Sequence, residues 1–308
     1  MNNVIHTKVS VFRNVKDYKF SDKLLPEQKQ EIVESLQTAL KTKMSLLNIN
    51  NADENVKKYL LDNGLLQTNV QNLFVSKKDK VAINLFNGEH LTIVSTTDGF
   101  DKNALLKATE ISNFLANKIS FAFSDEYGYL MADLNKIGSG IKIECSISLS
   151  AIKSINKIEQ VKNNLYKLGY ILKETKYPAI YNLSTACNLG ISEKKICEDF
   201  EVTLSKLQDL EIESLKMLDV EKHDEIVDKA NRSIALLNSA YLMTHEELYN
   251  LLVNVRIGLN LGLLNLSVET INKLQKLAMS KTKEYISQSE LKILAEQVKE
   301  ILKGENNV

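Results

Sequence analysis

The chain has 308 residues with 39 basic and 39 acidic side chains, so its formal net charge is zero. This balance excludes a strongly basic nucleic-acid-binding protein and a strongly acidic tail protein. No apolar run approaches the roughly 18 residues of a membrane helix, and the segment MNNVIHTKVSVF lacks a signal-peptide layout. We therefore expect a cytoplasmic protein of more than one domain with no membrane segment.

The cysteines give a second exclusion. Cys145, Cys187 and Cys197 are widely spaced and form no CxxC motif, which predicts neither a metal site nor a disulfide framework. Each is interpreted as a small buried apolar residue in a reducing compartment.

The basic residues are unevenly divided between the two types. Only Arg13, Arg232 and Arg256 are arginines among the 39 basic residues. Arginine binds phosphate through a planar two-pronged fork, whereas lysine offers a point charge. The chain cannot build an arginine-lined nucleotide site.

The first 70 residues predict a small, mostly helical lobe. Residues 1–20 resemble an extended arm. A helix begins at Pro26, where the apolar residues follow helical spacing, and a short helix covers about 53–62. This lobe is expected to end near residue 70.

Residues 71–205 predict an antiparallel sheet flanked by helices. The runs 80–86 and 90–95 alternate in polarity and are separated by Asn87-Gly88-Glu89, which is a strong hairpin signal. A helix is expected at about 101–117 and another at about 151–168. YGYLM at 127–131 precedes a turn-like IGSG at 137–140. The remaining strand-like runs are IKIECSISLS at 141–150, YILK at 170–173 and IYNLS at 180–184.

Residues 206–308 predict a helical C-terminal domain. Helical periodicity is nearly continuous from Ser192, and Thr244 followed by Glu247 has the spacing of a capping box. The helices are expected at 192–217, 223–241, 245–256, 267–281 and 287–303. The fold class is therefore α+β.

Short motifs, taken singly, favour ordinary structural roles. Gly138-Ser139-Gly140 lacks the spacing of a phosphate-binding P-loop and is typical of a turn between strands. His90 follows a hairpin turn, where a hydrogen-bonded structural histidine is more common than a base or a ligand. Asp133 lies among carboxylates that are typical of a solvated loop.

Taken in order, the motifs resemble a known family. They are VIHTKVSVFRNVKDYKF at 4–20, FNGEHLTI at 86–93, FAFSDEYGYLMADLNKIGSGIKI at 121–143, LSTACNLGISEKKICEDF at 183–200 and LLNSAYLMTHEELYNLLVNVRIGLNLGLL at 236–264. The chain resembles the ATP:guanido phosphotransferases, most closely bacterial protein-arginine kinases of the McsB type. This resemblance implies a guanido-kinase-like sheet domain, ATP and Mg²⁺ as cofactors, and an additional helical domain.

The resemblance also implies which residues occupy the functional positions of the family. The catalytic glutamate of the NEEDHxR motif is replaced by Gly88, and the reactive cysteine after GYL by Asp133. His90 of that motif remains. The five phosphate-binding arginine positions all differ, and they are occupied by Lys8, Ser10, Thr92, Lys142 and Lys173. The loop that follows Lys173 is shortened, and no equivalent of its glutamate can be placed.

Three functions follow as alternatives. Because phosphoryl transfer depends on positioning and charge neutralisation, loss of the arginine clamp predicts a catalytically inactive protein. Such a protein would act as a regulatory or binding partner in protein quality control. Family biology suggests an active protein-arginine kinase, its activator or the Clp machinery as the protein that it binds, and a homodimer stays open. ATP binding is expected to be weak or absent. The first alternative is an active protein-arginine kinase that uses lysine in place of arginine together with an unrecognised base.

The second alternative places function in the C-terminal domain. Arg256 keeps the RxG core of the family, and Asn254 and Asn260 flank it. These residues predict a weak phosphoarginine or partner site, since one guanidinium can hold a phosphate through its fork. The competing interpretation makes Arg256 a structural residue near a helix end.

Overall fold

The computed structural model describes residues 3–186, 189–279 and 287–304. Ten strands lie in these ranges. They are β1 (Val4–Arg13), β2 (Met44–Asn48), β3 (Asn72–Ser76), β4 (Val81–Asn87), β5 (Glu89–Asp98), β6 (Phe123–Ser124), β7 (Gly128–Tyr129), β8 (Ile141–Ser148), β9 (Tyr170–Glu174) and β10 (Ile180–Thr185).

The helices of the described ranges flank and follow these strands. They are α1 (Pro26–Leu40), α2 (Glu54–Asp62), α3 (Asn103–Ala116), α4 (Ser150–Ser154), α5 (Ile158–Lys167), α6 (Glu193–Ser239), α7 (His245–Asn260), α8 (Val268–Met279) and α9 (Gln288–Lys303). Single-turn helices lie at Ser21–Lys23, Ile49–Asn51 and Leu134–Lys136. The predicted Thr244 cap is confirmed, because its side chain accepts a hydrogen bond from the Glu247 N–H.

Eight of the strands form one antiparallel sheet in the order β2-β3-β4-β5-β1-β8-β10-β9, and β6 pairs with β7. The α+β class and the large antiparallel sheet are thus confirmed. The first 70 residues need a correction, because β1 is a central strand between β5 and β8, and β2 is an edge strand. The arm predicted at 1–20 is extended because it pairs along both of its edges, and residues 1–70 share a sheet with the following segment.

One face of the sheet carries the main apolar core. Side chains from β1, β4, β5, β8 and β10 pack there against α1, α3, α5 and the first part of α6. The alternating burial of β8, in which every second residue is buried from Ile141 to Ile147, follows from this one-sided packing. Cys145 and Cys197 are buried, unbridged thiols as expected, and Cys187 lies outside the described residues.

The C-terminal helices form a second core. It combines the end of α6 with α7, α8 and α9, and it reaches the sheet through Ile5 of β1 and Ile180 of β10. The long helix α6 joins the two cores and departs from helical geometry at Lys222, close to the gap predicted between two helices. A smaller cluster around Leu60 and Leu65 covers Ala82 and Val94 on the other side of the sheet from the main core. Among the described residues, no helix is both long enough and apolar enough to span a bilayer.

Candidate functional site

The sheet brings three of the predicted site residues together on one face. Lys8 lies opposite Glu144, and Ser10 lies opposite Lys142, in the antiparallel pairing of β1 with β8. Directly opposed residues project to the same side of a sheet, so these four side chains share one surface. This surface is the floor of a cleft of about 310 Å³.

The cleft walls come from three other segments. Phe12 extends the floor along β1, Gln67 and Asn87 form one side, and Lys136 closes the end near the β4–β5 turn. Asn87 donates a hydrogen bond to the Gln67 side-chain oxygen at 2.7 Å. The volume is at the lower end of the range for small-molecule sites.

The charges in the cleft are partly matched. The Lys142 ammonium lies 3.2 Å from a Glu144 carboxylate oxygen. Burial lowers the pKa of Lys8, Glu144 acts in the opposite direction, and Lys142 adds to the lowering. A carboxylate therefore stands among the groups that would have to hold phosphate, and it weakens their attraction for a polyanion.

Gly88 occupies the turn between β4 and β5 with a φ of +82°. A Cβ atom at this position would lie 3.9 Å from the Lys136 ammonium, so there is room for a side chain. The backbone conformation is nevertheless one that residues with a Cβ seldom adopt. The position carries no carboxylate, and a cation lies beside it.

Lys136 is held by three neighbours. Its ammonium lies 3.7 Å from Glu89 and 3.5 Å from Asp133, and it stands 4.6 Å from the centre of the Phe12 ring. Lys136 was missed by the sequence analysis, because no spacing rule connects it to the hairpin. Glu144 was missed too, although it lies two residues from Lys142 on a strand and so shares its face.

The Glu89 carboxylate, which follows Gly88, is completely buried. One oxygen accepts hydrogen bonds from Asn14 at 2.7 Å and from the Ala132 N–H at 3.0 Å, and the other accepts from the Asp133 N–H at 3.3 Å. Glu89 thereby fixes the loop that carries Asp133 and Lys136. Its role in this fold is to anchor backbone.

His90 belongs to the same buried cluster. Its Nδ1 accepts from the Val15 N–H at 2.9 Å, and its Nε2 pairs with the Lys19 carbonyl at 2.7 Å. Burial lowers the pKa of His90, while the Lys19 carbonyl and Glu89 act in the opposite direction. Since both ring nitrogens bond to backbone, the imidazole holds the segment after β1 and presents neither nitrogen to the cleft. We call Asn14, Glu89 and His90 the anchor cluster.

Asp133 has a local role at the cleft margin. It caps the single-turn helix Leu134–Lys136 by accepting a hydrogen bond from the Asn135 N–H. Partial burial would raise the pKa of Asp133, but the Asn135 hydrogen bonds and the charge of Lys136 together lower it. The carboxylate is ionised and offers no thiolate-like nucleophile.

The two other predicted phosphate-binding positions lie outside the cleft. Thr92 is fully buried on β5 between Phe12 and Asn84, and its hydroxyl has no hydrogen-bond partner among the described residues. Lys173 is exposed on the edge strand β9, which is three strands from β1. At the usual strand spacing the two strands are about 14 Å apart.

Arg13 is buried as a structural residue. Its guanidinium donates to the carbonyls of Phe12 and Ser139, pairs with Glu193 at 3.2 Å, and stacks 3.5 Å from the Tyr129 ring centre. Burial lowers the pKa of Arg13, and Tyr129 and Glu193 oppose this effect. Arg13 therefore ties β1 to the 138–140 turn and to the start of α6.

Arg256 is also buried, with an exposed fraction of 1%. Its guanidinium donates to the side-chain oxygens of Asn272 and Gln275 on α8. Burial lowers the pKa of Arg256 to about 9, and Glu211 opposes the shift. The predicted accessible phosphoarginine site at Arg256 is not supported by this arrangement, because the guanidinium faces the interior.

The two flanking amides have separate structural contacts. Asn254 donates to the Ser233 hydroxyl at 3.1 Å on α6. Asn260 donates to the Asn3 side chain at 3.3 Å at the junction with the sheet. They do not converge on a common ligand position with Arg256.

The charged and hydrogen-bonding groups of the cleft do not fit a nucleoside triphosphate with Mg²⁺. In the cleft the cations are Lys8, Lys142 and Lys136, and carboxylates lie beside the last two, Glu144 at Lys142 and Glu89 and Asp133 at Lys136. Among the described residues, no group of three or more His, Cys, Asp or Glu side chains could hold a metal ion, but Mg²⁺ that accompanies a nucleotide is held largely by its phosphates and does not require such a group. Lysine point charges also lack the bidentate geometry that phosphate clamps use.

Comparison with known proteins places the chain in a family. Residues 25–214 match the ATP:guanido phosphotransferase C-terminal catalytic domain, and residues 223–306 match the protein-arginine kinase McsB C-terminal domain. The chain belongs to the ATP:guanido phosphotransferase family. The junction between the two matches falls at the departure of α6 from helical geometry at Lys222.

The relatives extend over nearly the whole chain. A protein-arginine kinase of Clostridium acetobutylicum is 25% identical across 99% of this chain and 96% of its own length. One from Clostridium novyi is 26% identical across 98% of this chain and 95% of its own length. The crystal structure of a lombricine kinase shares the fold with a TM-score of 0.60, at 15% identity, over 68% of this chain and 66% of that chain.

Proposed function

We propose that this chain is a guanido-kinase-like protein without phosphotransferase activity, which acts by binding a regulatory protein partner. The observation that carries the proposal is the β4–β5 turn, where Gly88 provides no carboxylate and the Lys136 ammonium lies beside it. The carboxylate that would orient or deprotonate a cationic guanidinium is absent at Gly88, and the Glu89 and Asp133 carboxylates nearby already pair with Lys136. The turn therefore offers no unpaired carboxylate to attract the cationic substrate group.

The phosphate side of the cleft supports the same proposal. Transfer of a phosphoryl group requires that charge be neutralised by positioned donors. Removing one such donor typically slows a reaction by roughly 10²–10³-fold. Here Ser10 and Thr92 cannot carry charge, Lys173 lies on the edge strand, and Glu144 pairs with Lys142.

An active protein-arginine kinase is the alternative, and the names of the Clostridium relatives favour it. It would require Lys8 and Lys142 to hold the phosphates and a base other than the residue at position 88. Asp133 is the carboxylate at the cleft margin, and Lys136 and Asn135 already engage it. The cleft geometry therefore favours the inactive alternative.

The candidate partners in this proposal follow from family membership alone. They are an active protein-arginine kinase, its activator and the Clp machinery, which would act in the cytoplasm during a stress response. The phosphoarginine-binding alternative is less favoured, because Arg256 is enclosed between α7 and α8.

The test is a phosphorylation assay on the purified chain. Incubation with ATP, Mg²⁺ and an arginine-rich protein, followed by detection of acid-labile phosphate, should give no signal, with the Clostridium acetobutylicum relative as positive control. Turnover that is abolished by Asp133→Ala or Lys142→Ala would overturn the proposal. Turnover that survives both substitutions but separates from the chain on further purification identifies a contaminating kinase, whereas turnover that co-purifies with the chain also overturns the proposal.

A further inference from the structure

One cation in the cleft differs from the others. Lys142 pairs with Glu144, and Lys136 lies within reach of Glu89 and Asp133. The half-buried Lys8 ammonium has no hydrogen bond or ion pair among the residues that the structure describes, although its side chain lines the cleft. A partly desolvated ammonium without a close counter-charge is able to form a charged hydrogen bond with an anion that enters the cleft.

The positions of the charges set what that anion can be. Lys142 lies near Glu144, and Lys136 lies near Glu89 and Asp133, so Lys8 is the cleft lysine that has no carboxylate within ion-pair distance among the described residues. A triphosphate would bring several negative charges against Glu144, which also lies close enough to influence the pKa of Lys8. A ligand with a single negative charge balances Lys8 without this repulsion.

Neutral donors lie beside Lys8. Ser10 follows it on the same face of β1 and lines the cleft. The Gln67 side-chain oxygen is used by Asn87, which leaves the amide NH₂ of Gln67 as a donor at the cleft wall. Hydroxyl, amide and ammonium donors around a small volume suit the two oxygens of one carboxylate.

We propose that the cleft binds one carboxylate group on Lys8, presented by an acidic side chain of a protein partner or by a small carboxylic acid. The inference rests on the proposed function, since it assigns the cleft an occupant other than nucleotide. Lys8 is the central contact, and Ser10 and Gln67 orient the carboxylate. Glu144 limits the total negative charge that the site accepts.

The experiment follows the side-chain nitrogen of Lys8 by NMR in ¹⁵N-lysine-labelled full-length chain. The probes are acetate, a hexaglutamate peptide, inorganic phosphate and ATP, at constant ionic strength. Acetate and hexaglutamate should shift the Lys8 signal, and each should bind more tightly than phosphate or ATP. If the affinity for hexaglutamate is at least tenfold higher than that for acetate, the natural ligand is a polypeptide. If the affinities per carboxylate are equal, the natural ligand is a small acid.

Three variants separate this site from general surface charge. Lys8→Met should weaken binding of both carboxylates by about tenfold or more, as expected for loss of a charged hydrogen-bond donor. Glu144→Gln should tighten binding several-fold. Lys77→Met, at an exposed lysine outside the cleft, should change affinity less than twofold. Circular dichroism confirms that each variant is folded.

The inference is wrong if Lys8→Met binds both carboxylates as well as the parent chain, or if Glu144→Gln leaves affinity unchanged. It is also wrong if ATP binds more tightly than either carboxylate in a Lys8-dependent manner. Failure of the proposed function is a separate result, because it is detected as arginine phosphorylation regardless of carboxylate binding.

Discussion

The anchor cluster and the cleft are neighbours on the same strands, yet their chemistry differs. In the anchor cluster Glu89 and His90 are fully buried and each contacts a specific backbone group. In the cleft Lys8 lacks a partner among the described residues, and Lys142 is paired with Glu144. By the resemblance, His90 matches the NEEDHxR motif and Glu89 is an acidic residue at its aspartate position, whereas the residues that face the cleft depart from the family pattern.

This difference shows that preservation of a fold and preservation of a reaction depend on separate side chains. Glu89 and Gly88 are adjacent in sequence. Glu89 positions the loop that carries Asp133, whereas position 88 is the one that would have to contact the substrate. A family match over the whole chain therefore establishes the architecture. The activity has to be argued from the groups that line the cleft.

The largest expected effect is on the anchor cluster. Glu89→Ala should lower the free energy of unfolding by about 3–5 kcal/mol, because it leaves Asn14 and two backbone N–H groups buried without an acceptor. Urea denaturation measures the change. Asp133→Ala, at a partly exposed carboxylate nearby, serves as the control and should cost less than about 1 kcal/mol. If Glu89→Ala and Asp133→Ala lower the free energy of unfolding equally, the anchor cluster contributes no more to stability than the residues of the cleft margin, which contradicts this prediction.

Arg256 should behave like the anchor cluster although it lies in the other domain. Arg256→Ala should cost about 3 kcal/mol in unfolding free energy, since Asn272 and Gln275 lose a buried donor. Phosphoarginine titration of the folded variant should match that of the parent chain. A stable variant that selectively loses phosphoarginine binding would instead restore the C-terminal site.

A pH-dependent effect is expected at Glu211, which accepts hydrogen bonds from the Ala151 and Ile152 N–H groups. Burial raises the pKa of Glu211 to about 7, against opposing effects of these hydrogen bonds and of Arg256. The folded-state pKa exceeds the usual value of 4.5. The contribution of Glu211 to the free energy of unfolding therefore falls as pH rises from about 4.5 to 7, and it is constant above that.

The loss between pH 5 and 8 should be on the order of 2 kcal/mol, since each pKa unit corresponds to about 1.4 kcal/mol. Glu211→Gln should remove this component, so the difference between variant and parent shifts in favour of the variant as pH rises. Denaturation at both pH values measures it. A constant difference across this range would show that Glu211 is ionised throughout.

The smallest expected effect is in the cleft. Lys142→Met should change the unfolding free energy by no more than about 0.5 kcal/mol, because its pair with Glu144 is partly exposed. The thermal unfolding midpoint should be nearly unchanged. A loss comparable with that of Glu89→Ala would make the cleft lysines structural.

Much of the fold was predictable from local signals. The Asn87-Gly88 hairpin, the helix predicted at 101–117 and the C-terminal helices agree with the structure within a few residues. The 151–168 helix is divided into α4 and α5, because Asn156 adopts a positive φ of 58°. Strands β2 and β3 were missed, and the central position of β1 was not foreseen, because pairing between distant segments leaves no local pattern.

The candidate site was predictable only in part. Family motifs located Lys8, Ser10 and Lys142, and the structure brings these three together. Whether His90 and Arg256 are accessible could not be read from spacing, because their partners, Val15, Lys19, Asn272 and Gln275, come from other elements. Lys136 beside Gly88 depends on a loop conformation that Glu89 fixes from within the fold.

The affinity of the chain for MgATP tests the central claim most directly. Calorimetric titration at low and high ionic strength should show either no binding or weak binding that disappears with added salt, because Lys8 and Lys142 offer screened point charges. Micromolar affinity that is insensitive to salt would show that the cleft still grips nucleotide, and it would contradict the account.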